Sequence, residues 1–376
     1  MYRHCPAFLV LVLACSTAPP TDDSPDAHAK ATGALDGGSG TADANAPTDG
    51  GFTLDAGQQE SAGVEALGPC QAGLEDNHLL GCERYRVTCG GLSPQVVKVR
   101  RWADPQREGP SQGHIVFGMG GTGEGWTVTR TNDPAHGEHQ LVRRLTRAGF
   151  VVYERAWEEG WWGRSSDEQG IAAAACRYRT LVAHLAQGSE SPTCVFGNSG
   201  GSTEIAYGLT RHGLDRIIRL AILGGGPPMG RIDYGCSADR PELGWSSQCA
   251  TYWGETQTEC GRRPVKCFYE GRIVSVFDQS YGGAPCSQAN DDDLQLLEAD
   301  SVLGGAPVLD YPDTHVHFVV GRQDCTEAPI LGIPYFNGIT SSKSRDLVTQ
   351  TPHRTIESSQ GAQAVFDAFV THCQDP

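Results

Sequence analysis

Residues 193–202, TCVFGNSGGS, form an apolar run that stops at a glycine, presents a serine and continues through two more glycines. A serine hydroxyl attacks well only where a sharp turn exposes it at the end of a strand, beside a backbone N–H. Gly197 and Gly201, two residues before and after Ser199, leave room for the incoming strand and the outgoing helix to cross closely. Because TCVF predicts a strand and STEIAYGLTRHG a helix, we predict that Ser199 is a nucleophile at a strand–turn–helix junction.

A base and an orienting carboxylate should follow the serine, each just beyond a strand. HVHFVV, residues 315–320, predicts a buried strand, and the GRQDC that follows places Asp324 at its carboxyl end. RDLVTQ, residues 345–350, predicts the last strand, and TPH places His353 ahead of the terminal helix. We therefore predict a catalytic triad of Ser199, Asp324 and His353.

Other acids of this region either precede the strand or lie outside the position that the triad order requires: Asp278, Asp300, Asp310 and Asp313. Among the other histidines, His315 and His317 share a strand face and would suit an H-x-H metal pair, but no third ligand is evident. His372 lies late in the last predicted helix. We expect neither a metal nor a cofactor.

HIVFGMGGTGEGW is predicted to be a buried strand that runs into a glycine-rich loop. Its Gly118, Gly120 and Gly123 match the G-x-G-x-x-G spacing of dinucleotide-binding folds. That fingerprint needs a helix at once and an acidic residue about 20 residues later, whereas the segment after this loop is itself loop-like. We therefore weigh the dinucleotide hypothesis below the alternative that this loop serves the serine.

Strands and helices alternate from about residue 95, a pattern typical of an α/β fold with a mostly parallel central sheet flanked by helices. GNSGG, FGMGGTG, GRQD and TPH, in the order serine, acid, histidine, resemble the α/β-hydrolase superfamily over roughly residues 95–373. The resemblance implies the α/β-hydrolase fold and an esterase-like serine enzyme that cleaves esters or amides. It also implies an oxyanion hole built from the backbone N–H of Gly200 and that of Gly120 or Gly121.

The alternation stops over about 229–290, which is rich in Gly, Trp, Tyr and Cys and predicts a cap insertion with few regular elements. Trp245 and Trp253 of this cap, with Trp161 and Trp162 of EEGWWGRSS, are candidates for a substrate-binding wall. The alternative for the cap aromatics is a small core stapled by cysteines, and for the earlier pair a place in the main core.

Fourteen cysteines are present, and setting aside Cys5 and Cys15 leaves twelve in the folded part. An even number without any C-x-x-C pair favours disulfides in an oxidising compartment over zinc binding. Their connectivity stays open, but their grouping requires at least one bridge between distant segments.

Residues 1–15 predict an export signal, whose end VLAC resembles a bacterial lipobox with Cys15 as the lipidated residue. The alternative is an ordinary signal peptide cut beyond Ala18. Residues 16–69 predict a disordered linker, in which nine acidic residues against one lysine give −8 of the net charge of −16. A flexible coil of this length spans about 40 Å. Residues 70–376 would then form the hydrolase domain.

The chain carries no basic stripe, so we do not expect nucleic acid as a partner. We expect an exported, surface-tethered or extracellular serine hydrolase, held at the outer membrane by the lipid anchor, that acts on small-molecule or polymeric esters. A peptidase or acyltransferase on the same triad, and a non-catalytic binding protein of the same fold, are the alternatives. The sequence does not specify the oligomeric state.

Overall fold

The structure, a computed structural model, describes residues 62–129, 136–161, 170–238, 240–256, 259–260, 266–281 and 283–374. The predicted signal segment with Cys15 and nearly all of the predicted linker lie outside the described residues, and so does Trp162.

One nine-stranded sheet organises the described residues, with the order β1-β2-β3-β5-β4-β6-β7-β8-β9. Neighbours from β1 to β5 pair antiparallel, and those from β5 to β9 pair parallel. The strands are β1 Gly63–Pro69, β2 Leu79–Cys89, β3 Leu92–Trp102, β4 Gly113–Gly118, β5 Phe150–Trp157, β6 Thr193–Asn198, β7 Leu220–Gly224, β8 His315–Gly321 and β9 Lys343–Val348. The strands β2 and β3 form a long antiparallel pair ahead of the parallel part of the sheet.

Helices cover both faces of the parallel part of the sheet. The α-helices of the described residues, including those of the cap, are α1 Gly137–Ala148, α2 Gly170–Ala186, α3 Gly200–His212, α4 Ile232–Cys236, α5 Trp245–Thr256, α6 Arg272–Ser280, α7 Pro285–Gln288, α8 Asp291–Asp300, α9 Ala328–Gly338 and α10 Ser359–His372. Residues of α2 and α3 share one core cluster, and residues of α1 and α10 share another. Cys194, Val195 and Phe196 of β6 alternate between these two clusters, as the pleat of a strand requires, and β6 is buried throughout. The predicted α/β-hydrolase fold is confirmed.

The edge strand β1 corrects the predicted boundary of the linker at residue 69. Gly63–Pro69 pairs antiparallel with β2, and Val64 packs against the core. The low apolar content of the preceding segment led us to extend the linker too far, because an edge strand needs only one apolar face.

The described part of the predicted cap, about 229–290, contains four helices, α4 to α7, so the expectation of few regular elements is wrong. Two of these helices are short: α4 has five residues and α7 has four. Short helices gain little from propensity alone, so tertiary packing and disulfides must hold them.

All twelve cysteines of the folded part form disulfides, as predicted. The pairs are Cys70–Cys82, Cys89–Cys176, Cys194–Cys373, Cys236–Cys286, Cys249–Cys267 and Cys260–Cys325. Two bridges lie within the cap, while Cys260–Cys325 joins the cap to the loop after β8. The set is typical of a protein that folds in an oxidising environment. Among the described residues, no helix has the length and apolar character needed to cross a membrane.

Candidate active site

Ser199 occupies the turn between β6 and α3 with a backbone conformation of φ 57° and ψ −121°. Its N–H donates to the carbonyl oxygen of Gly224, 2.9 Å away on the neighbouring strand. A side chain at Gly197 would place its Cβ 2.2 Å from the carbonyl oxygen of Gly201, and one at Gly201 would lie 2.3 Å from the carbonyl oxygen of Gly118. The two glycines of the motif are therefore required by backbone contact, and the serine is held in a strained turn.

Asp324 and His353 lie side by side on the loops that follow β8 and β9. The carboxylate of Asp324 is buried, and its Oδ2 lies 2.8 Å from Nδ1 of His353. Its Oδ1 accepts hydrogen bonds from the backbone N–H and the hydroxyl of Thr326, at 3.0 and 2.7 Å. The carboxylate is thus fixed on both sides, and an imidazole that donates from Nδ1 keeps Nε2 available as a base.

The electrostatic surroundings favour the protonated form of His353. Burial lowers the pKa of the imidazole, but the Asp324 carboxylate and then Glu327 raise it by more, so this pKa lies above its usual value of 6.5. Burial raises the pKa of the Glu327 carboxyl itself, and the Asp324 charge adds to that effect.

Asn198, the residue before Ser199, connects the serine turn to the His353 loop. Its side chain is fully buried, and its Nδ2 donates to the carbonyl oxygen of His353 at 3.1 Å. Its Oδ1 accepts from the N–H and the hydroxyl of Thr355, both at 2.9 Å. The sequence pattern assigned no role to Asn198, because its partners lie more than 150 residues further along the chain.

The three glycines predicted to form the oxyanion hole lie against one another. A Cβ added at Gly200 would come 2.3 Å from the carbonyl oxygens of both Gly120 and Gly121. Gly120 has a φ of 78°, which favours glycine. The loop after β4 therefore packs directly on the first residue of α3.

The rival acids and histidines have other partners. Asp300 caps α2 by accepting from the N–H of Ile171, and Asp278 accepts from the N–H of Cys286. His315 stacks on His372 with ring centroids 4.1 Å apart. Asp310 and Asp313 precede β8, at the opposite end from Asp324. Among the described residues, no group of three or more His, Cys, Asp or Glu side chains is arranged to hold a metal ion.

Two of the four tryptophans predicted to bind substrate are core residues instead. Trp161 is fully buried and donates to the carbonyl oxygen of Gly121, and Trp245 is buried in the cap and donates to that of Cys267. Each indole N–H is satisfied by backbone, so the rings are free to pack on all sides. Glu158, in the same EEGWWGRSS stretch, forms an ion pair with Arg84. Trp253 is partly buried against the same core as Trp245.

No protein-family model matches the sequence, and no curated protein matches it. Among solved structures, a dienelactone hydrolase from Anabaena variabilis is 11% identical, with 74% of this chain and 93% of that chain covered and a TM-score of 0.38. A cold-adapted esterase from an Arctic intertidal metagenomic library is 13% identical, with 80% and 97% covered and a TM-score of 0.40. A prolyl endopeptidase is 13% identical, with 83% and 39% covered and a TM-score of 0.46. The chemistry of the site has to be argued from its own residues.

Proposed function

We propose that this chain, which has the α/β-hydrolase fold, is a serine hydrolase that cleaves carboxylic esters through an acyl-enzyme on Ser199. The observation that carries the proposal is the contact between the buried Asp324 and His353, whose carbonyl oxygen is bound by Asn198, the residue that precedes the strained Ser199. A strained serine turn, a buried carboxylate and a histidine, in this chain order, are the parts that nucleophilic acyl transfer requires.

In the proposed reaction, Nε2 of His353 takes the proton of the Ser199 hydroxyl as its oxygen attacks the ester carbonyl carbon. Asp324 holds Nδ1–H and stabilises the imidazolium that forms. The tetrahedral intermediate collapses when the carbon–oxygen bond to the alcohol breaks, and Nε2 returns the proton to that alcohol. Water then attacks the acyl-enzyme by the same route and releases the carboxylic acid and the free serine.

The negative oxygen of each tetrahedral intermediate needs hydrogen-bond donors. In the proposal these are the backbone N–H of Gly200 and that of Gly120 or Gly121, residues whose backbones pack closely against Gly200. One such donor contributes about 10²- to 10³-fold to the rate in related chemistry.

Replacement of Ser199 tests the proposal. We expect Ser199→Ala to lower kcat for p-nitrophenyl butyrate by about 10⁴-fold or more and to abolish labelling by a fluorophosphonate probe, because no other group forms the acyl-enzyme. The matched control is Ser359→Ala, at an exposed serine of α10. A wild-type rate in Ser199→Ala would refute the assignment, and faster cleavage of the corresponding p-nitroanilide than of the ester would replace esterase by peptidase activity.

A further inference from the structure

A fully buried ion pair lies beneath the glycine-rich loop that follows β4. Arg155 on β5 and Glu204 on α3 have no exposed surface, and Nη2 of Arg155 donates to Oε2 of Glu204. The other carboxylate oxygen of Glu204 accepts from the indole N–H of Trp157 at 2.7 Å. The pair therefore joins the central sheet to the helix that begins one residue after Ser199.

The same guanidinium group also binds the backbone of the loop. Nη1 of Arg155 donates to the carbonyl oxygen of Gly123 at 2.9 Å and lies 3.5 Å from that of Met119. These two residues enclose Gly120 and Gly121, whose carbonyl oxygens contact the Cβ position of Gly200. One side chain thus holds both ends of the loop segment that faces α3.

The glycine spacing that resembles a dinucleotide fingerprint is explained by this side chain. A Cβ at Gly118 would lie 2.5 Å from Nη2 of Arg155, and a Cβ at Gly123 would lie 2.7 Å from Nη1. Both glycines are required because the guanidinium fills the space beside them. The loop is therefore shaped around an arginine of its own chain, and the dinucleotide hypothesis loses its support.

Stability alone is a poor explanation for such a pair. Removing two charges from water is costly, and well-packed apolar residues of similar volume are often equally stable. Burial raises the pKa of Glu204 to about 7, against the opposing effects of Arg155 and Trp157. The Arg155–Glu204 pair is costly to bury, yet its guanidinium binds the loop backbone at two points. Its role is therefore better explained as fixing the position of that loop.

We propose that Arg155 and Glu204 are positioning residues that hold Gly120 and Gly121 against Gly200 and so set the geometry of the oxyanion hole. This inference rests on the proposed hydrolase function. The pair does not touch the substrate but acts through the loop. It should therefore affect the stabilisation of the transition state, in which the oxyanion carries charge, more than the binding of the substrate.

Arg155→Met, Arg155→Lys and Glu204→Gln test the inference. We expect Arg155→Met to lower kcat for p-nitrophenyl butyrate by about 10- to 100-fold with KM changed less than about threefold, because small displacements of catalytic groups have effects of this size. The affinity for a trifluoromethyl ketone, which forms an oxyanion on Ser199, should fall by the same factor as kcat/KM. Arg155→Lys should lose less kcat and less ketone affinity than Arg155→Met, since an ammonium group can pair with Glu204 but cannot bind the loop at two points.

The chain offers a matched control in its second buried Arg–Glu pair, Arg100 and Glu154, whose charged atoms lie 3.6 Å apart. Arg100 binds the backbone at Val128, well beyond the glycines that face α3. Arg100→Met should lose thermal stability as Arg155→Met does, but keep kcat and ketone affinity within about threefold.

The inference is wrong if folded Arg155→Met keeps wild-type kcat and ketone affinity, or if Arg100→Met loses them equally. If Arg155→Met does not fold, Glu204→Gln is the deciding variant, because glutamine keeps the side-chain volume and an acceptor for the Trp157 indole N–H. Unchanged kcat and ketone affinity in Glu204→Gln would then refute the inference. Failure of the function itself has a separate signature: wild-type protein that neither hydrolyses esters nor labels at Ser199.

Discussion

At the scale of single residues, two carboxyl groups raise the pKa of the proposed base, His353. Asp324 and Glu327 both raise the pKa of His353, and together they exceed the opposing effect of burial. A base must be neutral to accept a proton, so activity is lost as the pH falls through this pKa. We expect the acid limb of kcat/KM to have its midpoint above pH 6.5, the usual value for histidine.

Glu327→Gln should move that midpoint to lower pH, because removing a negative charge makes the imidazolium less stable. The matched control is Asp313→Asn, an exposed carboxylate at the other end of β8, which should leave the profile in place. The measurement is kcat/KM between pH 5 and 9. A wild-type midpoint at or below 6.5, or a shift to higher pH in Glu327→Gln, would contradict the assigned electrostatics.

The individual residues also show which parts of the site could be predicted. Ser199, Asp324 and His353 stand at strand ends in a fixed chain order, and short-range patterns are enough to find them. Asn198 could not be assigned, because its function depends on a contact with His353, 155 residues later. Arg155 could not be singled out, since no local pattern shows which carboxylate an arginine will meet.

At the scale of elements, the loop that carries Asp324 is attached to the cap. Cys325, the next residue, is bonded to Cys260, and the side chains of Arg322 and Glu259 form an ion pair at 3.0 Å. The backbone of Glu259 also donates to the carbonyl oxygen of Arg322. The cap insertion is therefore a support for the proposed acid as well as a covering segment.

Removing this disulfide should affect catalysis more than removing another of the same cap. We expect Cys260→Ser/Cys325→Ser to lower kcat/KM by about 10- to 100-fold, because the Asp324 loop gains freedom beside His353. The control, Cys249→Ser/Cys267→Ser, removes a bridge that lies wholly within the cap. Equal losses in the two double variants would show that the bridge to Cys325 has no special part in positioning Asp324.

Elements were predicted best where they are long or fully buried. The apolar runs of β4, β6 and β8 and the helix after Ser199 have the periods and flanking glycines that identify them. The cap helices were missed because two of them, α4 and α7, have only five and four residues and because the segment is held by Cys236–Cys286 and Cys249–Cys267. Disulfide pairings cannot be deduced from spacing. The strand β1 was missed because its pairing with β2, not its composition, defines it.

At the scale of the whole molecule, Cys194–Cys373 joins the strand before Ser199 to the residue after the last helix, across 179 residues. A bridge that closes a long loop restricts the unfolded chain most, by about 5 kcal/mol for this length and about 3 kcal/mol for a loop as short as that of Cys70–Cys82. We therefore expect Cys194→Ala/Cys373→Ala to lower the free energy of unfolding by about 2 kcal/mol more than Cys70→Ala/Cys82→Ala.

Urea denaturation of the two double variants and the wild type measures this difference. The comparison between variants is informative because each loses two half-cystines of the same kind. A larger loss in Cys70→Ala/Cys82→Ala than in Cys194→Ala/Cys373→Ala would contradict the expectation that loop length dominates.

The pairing of Cys194 with Cys373 and of Cys260 with Cys325 also imposes an order in time. A chain made from its amino end presents Cys89 and Cys176 early, and these can join as soon as α2 packs. Cys194 and Cys260 cannot form their native bonds until Cys373 and Cys325, in the last part of the chain, have been synthesised. The two disulfides nearest the proposed triad therefore form late in biosynthesis. In a chain interrupted after β8, Cys194 of the strand before Ser199 has no native partner and can pair with a wrong cysteine.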